Sequence, residues 1–170
     1  MNAKFLVIGT LAGGILLFAW GAVTHMLLPE QVRAFSNDAA LVQAVRANAP
    51  VNGVYFAGQG VFVAVSFLPD MADKTKDLAP MLKTQFLTDL LAALLLCFVL
   101  PGIRSATVLG KTAWLGLASL AAVAVKILPY STWYGFSAPF VGMEVLDISG
   151  KFILLGFVLG GLMKKLVPAN

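Results

Sequence analysis

The sequence predicts an all-α membrane protein, a four-helix transmembrane bundle with a small extracytoplasmic helix plus β-hairpin insertion between the first two spans. Three observations predict it. Of 170 residues, 59% are hydrophobic and only 12% charged, and the mean hydropathy of +0.89 is too high for a water-soluble domain of this size. Four apolar segments approach the ~20 residues that a bilayer core requires. Residues 29–83 form the one sizeable polar region, and the short connections elsewhere leave a single membrane domain over 1–170.

The first span is expected over residues 5–28. The rival reading is a cleaved signal peptide with Ala19-x-Gly21 as its cleavage site, which the continuation of the apolar run to Leu28 disfavours. In the insertion, Ser36-Asn37-Asp38 reads as a helix start, Ala39–Ala47 as the helix, and Pro50 as its stop. Gly53–Ala57 and Val61–Leu68, rich in Val, Phe and Tyr around Gly58-Gln59-Gly60, read as a β-hairpin. One strand face carries Val61, Val63, Val65 and Phe67, apolar enough to lie on the bundle or on a membrane surface. Asp70–Lys83 reads as a solvated connector.

The remaining spans are expected at 84–101, ended by Pro101-Gly102, at 112–129, and at 139–163. Ser137 and Pro139 supply an N-cap and a first-turn proline for the last span. Tyr130, Trp133, Tyr134 and Phe136 suit a membrane-interface belt. With the N-terminus inside, Lys4, Arg104, Lys111, Lys164 and Lys165 fall inside with no acidic residue. The other seven Lys and Arg and all eight Asp and Glu fall outside or in the outer halves of spans. This is the positive-inside pattern, with both termini cytoplasmic. A fifth span through the hairpin would have to contain Gly58-Gln59-Gly60 and would spoil that asymmetry. Gly9-x-x-x-Gly13 and Gly156-x-x-x-Gly160 let helix backbones approach closely; packing within the chain, of the first span on the last, is the expected use, and dimerisation is the alternative.

The stretch Phe140–Lys151 draws attention to chemistry. Glu144, Asp147 and Lys151 share one helix face, and the acid-before-base order at i,i+4 favours an Asp147–Lys151 pair. Charges inside spans are costly and mark sites by default. His25, Asp89, Lys126, Glu144, Asp147 and Lys151 all fall toward the outer leaflet and are the candidate ligand-binding residues. The simpler expectation is a neutralised network, with Asp147 on Lys151 and Glu144 or Asp89 on Lys126. If the groups instead hold a ligand, His25 and Glu144 are the titrating members.

Other chemistries find little support. The carboxylates and the one histidine lack metal-ligand spacing. Cys97, the single cysteine, sits in an apolar run without a neighbouring base, and no serine sits in a nucleophile-elbow pattern. Gly58-Gln59-Gly60 is a turn and lacks the lysine of a phosphate loop. No catalytic residue, metal or cofactor is expected, and the basic groups are topology signals, not a nucleic-acid surface.

The segments GTLAGGILLFAWGAVTHMLLP (9–29), NGVYFAGQG (52–60), TDLLAALLL (88–96) and LPYSTWYGFSAPF (128–140) together resemble a group of small bacterial four-span integral membrane proteins with no assigned activity. The resemblance covers most of the chain and implies the same topology in a bacterial cytoplasmic (inner) membrane, but carries over no activity. The favoured function is association, as an accessory or scaffold subunit of a larger membrane complex or as a homo-oligomer. The alternative is binding or transport of a hydrophobic or lipid ligand, such as a quinone, in an outer-leaflet polar cavity.

Overall fold

A computed structural model of the chain describes residues 2–27, 35–58, 60–67 and 79–167. It is mostly helical, with four helices long and apolar enough to cross a membrane and one small two-stranded sheet. The chain divides into two compact units, the helices of residues 1–31 and 79–170 and a smaller unit spanning 32–78.

Helix α1, Ala3–Ala22, starts at Asn2, whose side chain accepts the amides of Lys4 and Phe5. It ends in a π-helical turn, Val23–Leu27. Helix α3, Ala79–Val99, closes through a 3-10 turn at Leu100–Gly102. Helix α4, Val108–Ala122, is capped by Thr107, passes through a second π-helical turn at Val123–Ile127, and runs into α5, Leu128–Tyr134. The second π turn has a local cause. Pro129 donates no amide, and its ring would crowd the carbonyl four residues earlier, so the helix widens just before it. Gly135, at φ 68°, ends α5, and its amide and that of Phe136 bond back to Ser131 and Tyr130, as a left-handed helix cap does. Helix α6, Ala138–Leu166, is capped by Ser137 with Pro139 in its first turn, as the sequence predicts.

The helices outrun their apolar segments. The second begins at Ala79, and the third extends from Val108 to Tyr134, so Lys83 and the aromatic residues Tyr130, Trp133 and Tyr134 are helical. Residues 70–78 of the expected connector lie outside the described residues. Within this unit α1 packs on α3 and on α6, and α6 packs on α4. The order α3, α1, α6, α4 is a row in which α1 and α6 are central, rather than an evenly closed bundle. Asn2 Nδ2 donates to Leu166 O at 2.6 Å, which sets the start of α1 beside the end of α6.

Each long helix buries a ridge at four-residue spacing, and small or polar residues recur on it. On α1 the ridge is Phe5, Gly9, Gly13 and Leu17; on α3 it is Asp89, Ala93 and Cys97. A Cβ at Gly9 would stand 2.7 Å from Cys97 Sγ, and one at Gly13 would stand 2.8 Å from Ala93 Cβ and 3.0 Å from Leu155 Cδ2. Gly156 faces the backbone of Thr112, with 2.6 Å from a Cβ to Thr112 Cα. The first glycine pair thus seats α1 against both α3 and α6, whereas the second seats α6 against α4. The expected pairing of the first span with the last is present, but Gly156 and Gly160 serve a different partner.

In the smaller unit, helix α2 covers Asp38–Asn48 with Asn37 as its N-cap. Strands β1, Gly53–Ala57, and β2, Val61–Val65, pair antiparallel with Tyr55 opposite Val63 and Phe56 opposite Phe62. Phe67 donates its amide to Asn52 Oδ1 at 2.6 Å, and the Arg46 guanidinium lies 5.4 Å from the Phe67 ring centroid. These contacts tie the helix to the hairpin. Val54 and Phe56, on one strand face, are 69% and 70% exposed.

Candidate functional site

The polar interior of the helical unit is built around Asp147. Its position on the buried ridge of α6 sends its carboxylate toward α1, where Thr24 Oγ1 donates to Asp147 Oδ1 at 2.8 Å. Lys151, one turn along α6, pairs with Asp147 Oδ2, the i,i+4 pair the sequence predicts. Trp20 Nε1 donates to the Asp147 carbonyl at 3.2 Å, and the Trp20 ring packs directly on Gly150. Every strong acceptor of Asp147 is therefore used, as a buried ion pair requires.

Asp89 enters from the other side, on α3. It is 6% exposed. Gln85, one turn earlier, donates to Asp89 Oδ1 at 3.0 Å. Asp89 Oδ2 is buried and has no hydrogen-bond partner among the described residues. The other two buried oxygens without a partner among the described residues are the hydroxyls of Thr10 and Ser149, so Asp89 supplies the one that belongs to an ionisable group. Asp89 forms no hydrogen bond or ion pair with Lys151 or Asp147 among the described residues.

Above α1, helices α3 and α6 leave a cleft of about 280 Å³. Leu17 of α1 forms its floor; Ala92, Leu95 and Leu96 of α3 and Phe152 and Leu155 of α6 form its walls. Asp89 and Lys151 are its two charged members, one from each wall. The volume lies just below the usual range of small-molecule pockets, and the lining presents almost no polar surface.

Three of the six candidate residues are brought together: Asp89, Asp147 and Lys151. The other three stand apart. His25 is exposed at the end of α1 and makes no hydrogen bond or ion pair among the described residues. Lys126 is exposed, with its ammonium 5.5 Å from the Tyr130 ring centroid, and the expected pairing with Glu144 or Asp89 does not form. Glu144 is half-buried and forms no ion pair among the described residues. His25 and Lys126 are turned to the outside of their helices, and Glu144, one turn before Asp147 on α6, meets no cation among the described residues.

Sequence reasoning missed Thr24 and Gln85 as partners of the acids, and it missed Lys111. Thr24 continues the α1 ridge seven residues beyond Leu17, and Gln85 precedes Asp89 by one turn, so both signals were in the spacing. Lys111 is 8% exposed and donates to the carbonyls of Ile103 at 2.9 Å and Leu100 at 3.4 Å. It adds a donor where α3 ends, at the Ile103 carbonyl and at the Leu100 carbonyl, which also accepts the Ile103 amide. Among the described residues, no three His, Cys, Asp or Glu side chains come close enough to hold a metal ion. Neither a family model, nor a curated protein, nor a solved structure matches the chain.

Proposed function

We propose that the chain is a multi-pass membrane protein that binds a hydrophobic or lipidic molecule in the α3–α6 cleft. The observation that carries this reading is the cleft itself, apolar along Leu17, Ala92, Leu95, Leu96, Phe152 and Leu155. A groove so lined accommodates an apolar tail. The bilayer supplies candidates for the tail, and the wide uncovered surface of the helices favours a lipid environment. Only 22–28% of the residues in the apolar windows are buried inside the chain. Both termini on the cytoplasmic side agree with the distribution of Lys and Arg.

The test is native mass spectrometry from mild detergent with lipid extraction of the same sample. Wild type is expected to carry a hydrophobic molecule that Ala92→Trp, which fills the cleft, loses. Leu91→Trp, on a face of α3 where Leu91 is 55% exposed, is expected to keep it. Equal occupancy in the two variants, with both folded by circular dichroism, contradicts the reading.

A second reading, association with a membrane protein partner, is favoured by the hairpin. Its Val54 and Phe56 face is uncovered, and exposed apolar patches mark contact surfaces. The glycine motifs do not argue for it, because both are occupied within the chain. Phe56→Ser is expected to release a co-purifying partner if this surface holds one, and retention of the partner contradicts it.

A further inference from the structure

The depth and polarity of the cleft decide which part of a lipid it can hold. At about 1.5 Å of rise per residue, Phe152 stands about 21 Å from either end of α6 and Leu17 about 15 Å before Leu27. Ala92 and Leu96 lie about 20 and 26 Å along α3 from Ala79. The hydrocarbon of a bilayer is about 30 Å thick, so the lining falls in its middle part, away from both layers of head groups. Asp89, Ala92 and Leu96 follow at i, i+3 and i+7, so the groove runs along α3 for about 10 Å, the direction in which lipid chains also run. It is an open groove, not an enclosed cavity.

Its surface offers a polar head nothing. Lys151 is paired with Asp147, Gln85 holds one oxygen of Asp89, and the other oxygen is covered. A head group drawn to this depth would give up water without finding a partner. A chain gives up nothing, because lipid is as apolar as the leucines it meets, and it gains dispersion contacts along walls that are otherwise unfilled. What the groove can distinguish is therefore the shape of the chain. At about 280 Å³ it is smaller than pockets for drug-sized molecules, which suits one chain and not a fused ring system.

We propose that the cleft holds the tail of a bilayer lipid, one unbranched acyl chain lying between α3 and α6, and reads the chain and not the head group, which stays at the membrane surface. This rests on the cleft being a binding site and adds which part of the ligand is recognised. The small side chain of Ala92 leaves the room on one wall, and Phe152 and Leu155 close the other. Methyl branches widen a chain and meet Leu17, Leu96 or Phe152 before it is seated.

The probes are phosphatidylcholines carrying a photoreactive diazirine either near the end of a straight acyl chain or in the head group, in nanodiscs, with labelled residues mapped by mass spectrometry. The chain-end probe is expected to label Leu96 and Phe152, and a phosphatidylglycerol with the same chain to label them equally; the head-group probe labels neither. Leu91, next to Ala92 in sequence and 55% exposed, reports ordinary lipid contact. When the host lipid changes from straight-chain dimyristoyl to methyl-branched diphytanoyl phosphatidylcholine, Phe152 labelling relative to Leu91 is expected to rise about tenfold, the low end of what one misfitting methylene is worth in an apolar pocket. Ala92→Trp is expected to lose the Phe152 label and keep the Leu91 label. An unchanged ratio in the two hosts, a preference between the two head groups, or head-group labelling of Phe152 overturns the chain assignment while leaving a binding cleft. Leu91 labelled with Leu96 and Phe152 untouched by every probe overturns the cleft itself and the chain assignment with it.

Discussion

Gly13→Ala tests the packing on which the cleft is built. Gly13 lies where α1 meets both α3 and α6. An added methyl would stand 2.8 Å from Ala93 Cβ and 3.0 Å from Leu155 Cδ2, against 3.4–4 Å for ordinary contact. Neither neighbour can swing aside cheaply, because Ala93 has no rotamer and Leu155 is 1% exposed. Helix α1 must therefore retreat by at least ~0.6 Å from α3, the shortfall in those distances. A radial gap of 0.5–1 Å forfeits a quarter to a half of the dispersion energy at each opened contact. Overpacking of this kind costs about 1–3 kcal/mol. Gly21→Ala is the control. It lies on the same helix with nothing within 4 Å of the new methyl, and it gains the same intrinsic helix preference of about 1 kcal/mol. That term cancels between the two variants, so Gly13→Ala should be about 1–3 kcal/mol less stable than Gly21→Ala. Equilibrium unfolding in mixed micelles, followed by circular dichroism, measures the difference. Equal stability of the two variants would refute the helix order and the cleft geometry drawn from it.

Other variants follow from the polar contacts. Breaking the buried pair from one side, by Asp147→Asn or Lys151→Met, should cost about 3–5 kcal/mol, while the double variant costs clearly less than the sum; a double-mutant cycle by the same unfolding assay checks this. Thr24→Val strands Asp147 Oδ1 and should cost about 1–3 kcal/mol, with Thr24→Ser close to wild type. Lys111→Met leaves the Ile103 and Leu100 carbonyls without their ammonium donor and should lower stability by a similar ~1–3 kcal/mol, with faster hydrogen exchange at the α3–α4 connection as the local readout.

Much of this architecture was legible because the bilayer imposes simple demands. Apolar length marked four helices, and caps and a proline marked helix starts: Asn37 for α2, and Ser137 with Pro139 for α6. The Asp147–Lys151 pair was legible from its i,i+4 spacing, since both residues ride one helix. What hydropathy could not reveal was which side of each helix faces protein. A water-soluble helix announces its buried face by an apolar stripe; helix α1 is apolar all round, and its buried face is marked by Gly9 and Gly13 instead. That is why His25, Lys126 and Glu144, placed at a common level from sequence, are not gathered with Asp89. Depth follows from counting residues, but rotation follows from packing. Lys111 illustrates the same limit, because its role depends on where the chain turns after Pro101. It counted as a topology charge in the sequence and caps a neighbouring helix in the fold.

The most direct measurement is a cryo-electron microscopy or crystal structure of the protein in lipid, at a resolution that shows bound acyl chains. Elongated density is expected between Leu95 and Phe152, along the apolar lining of the cleft. Helices α3 and α6 closed over an empty gap would contradict it.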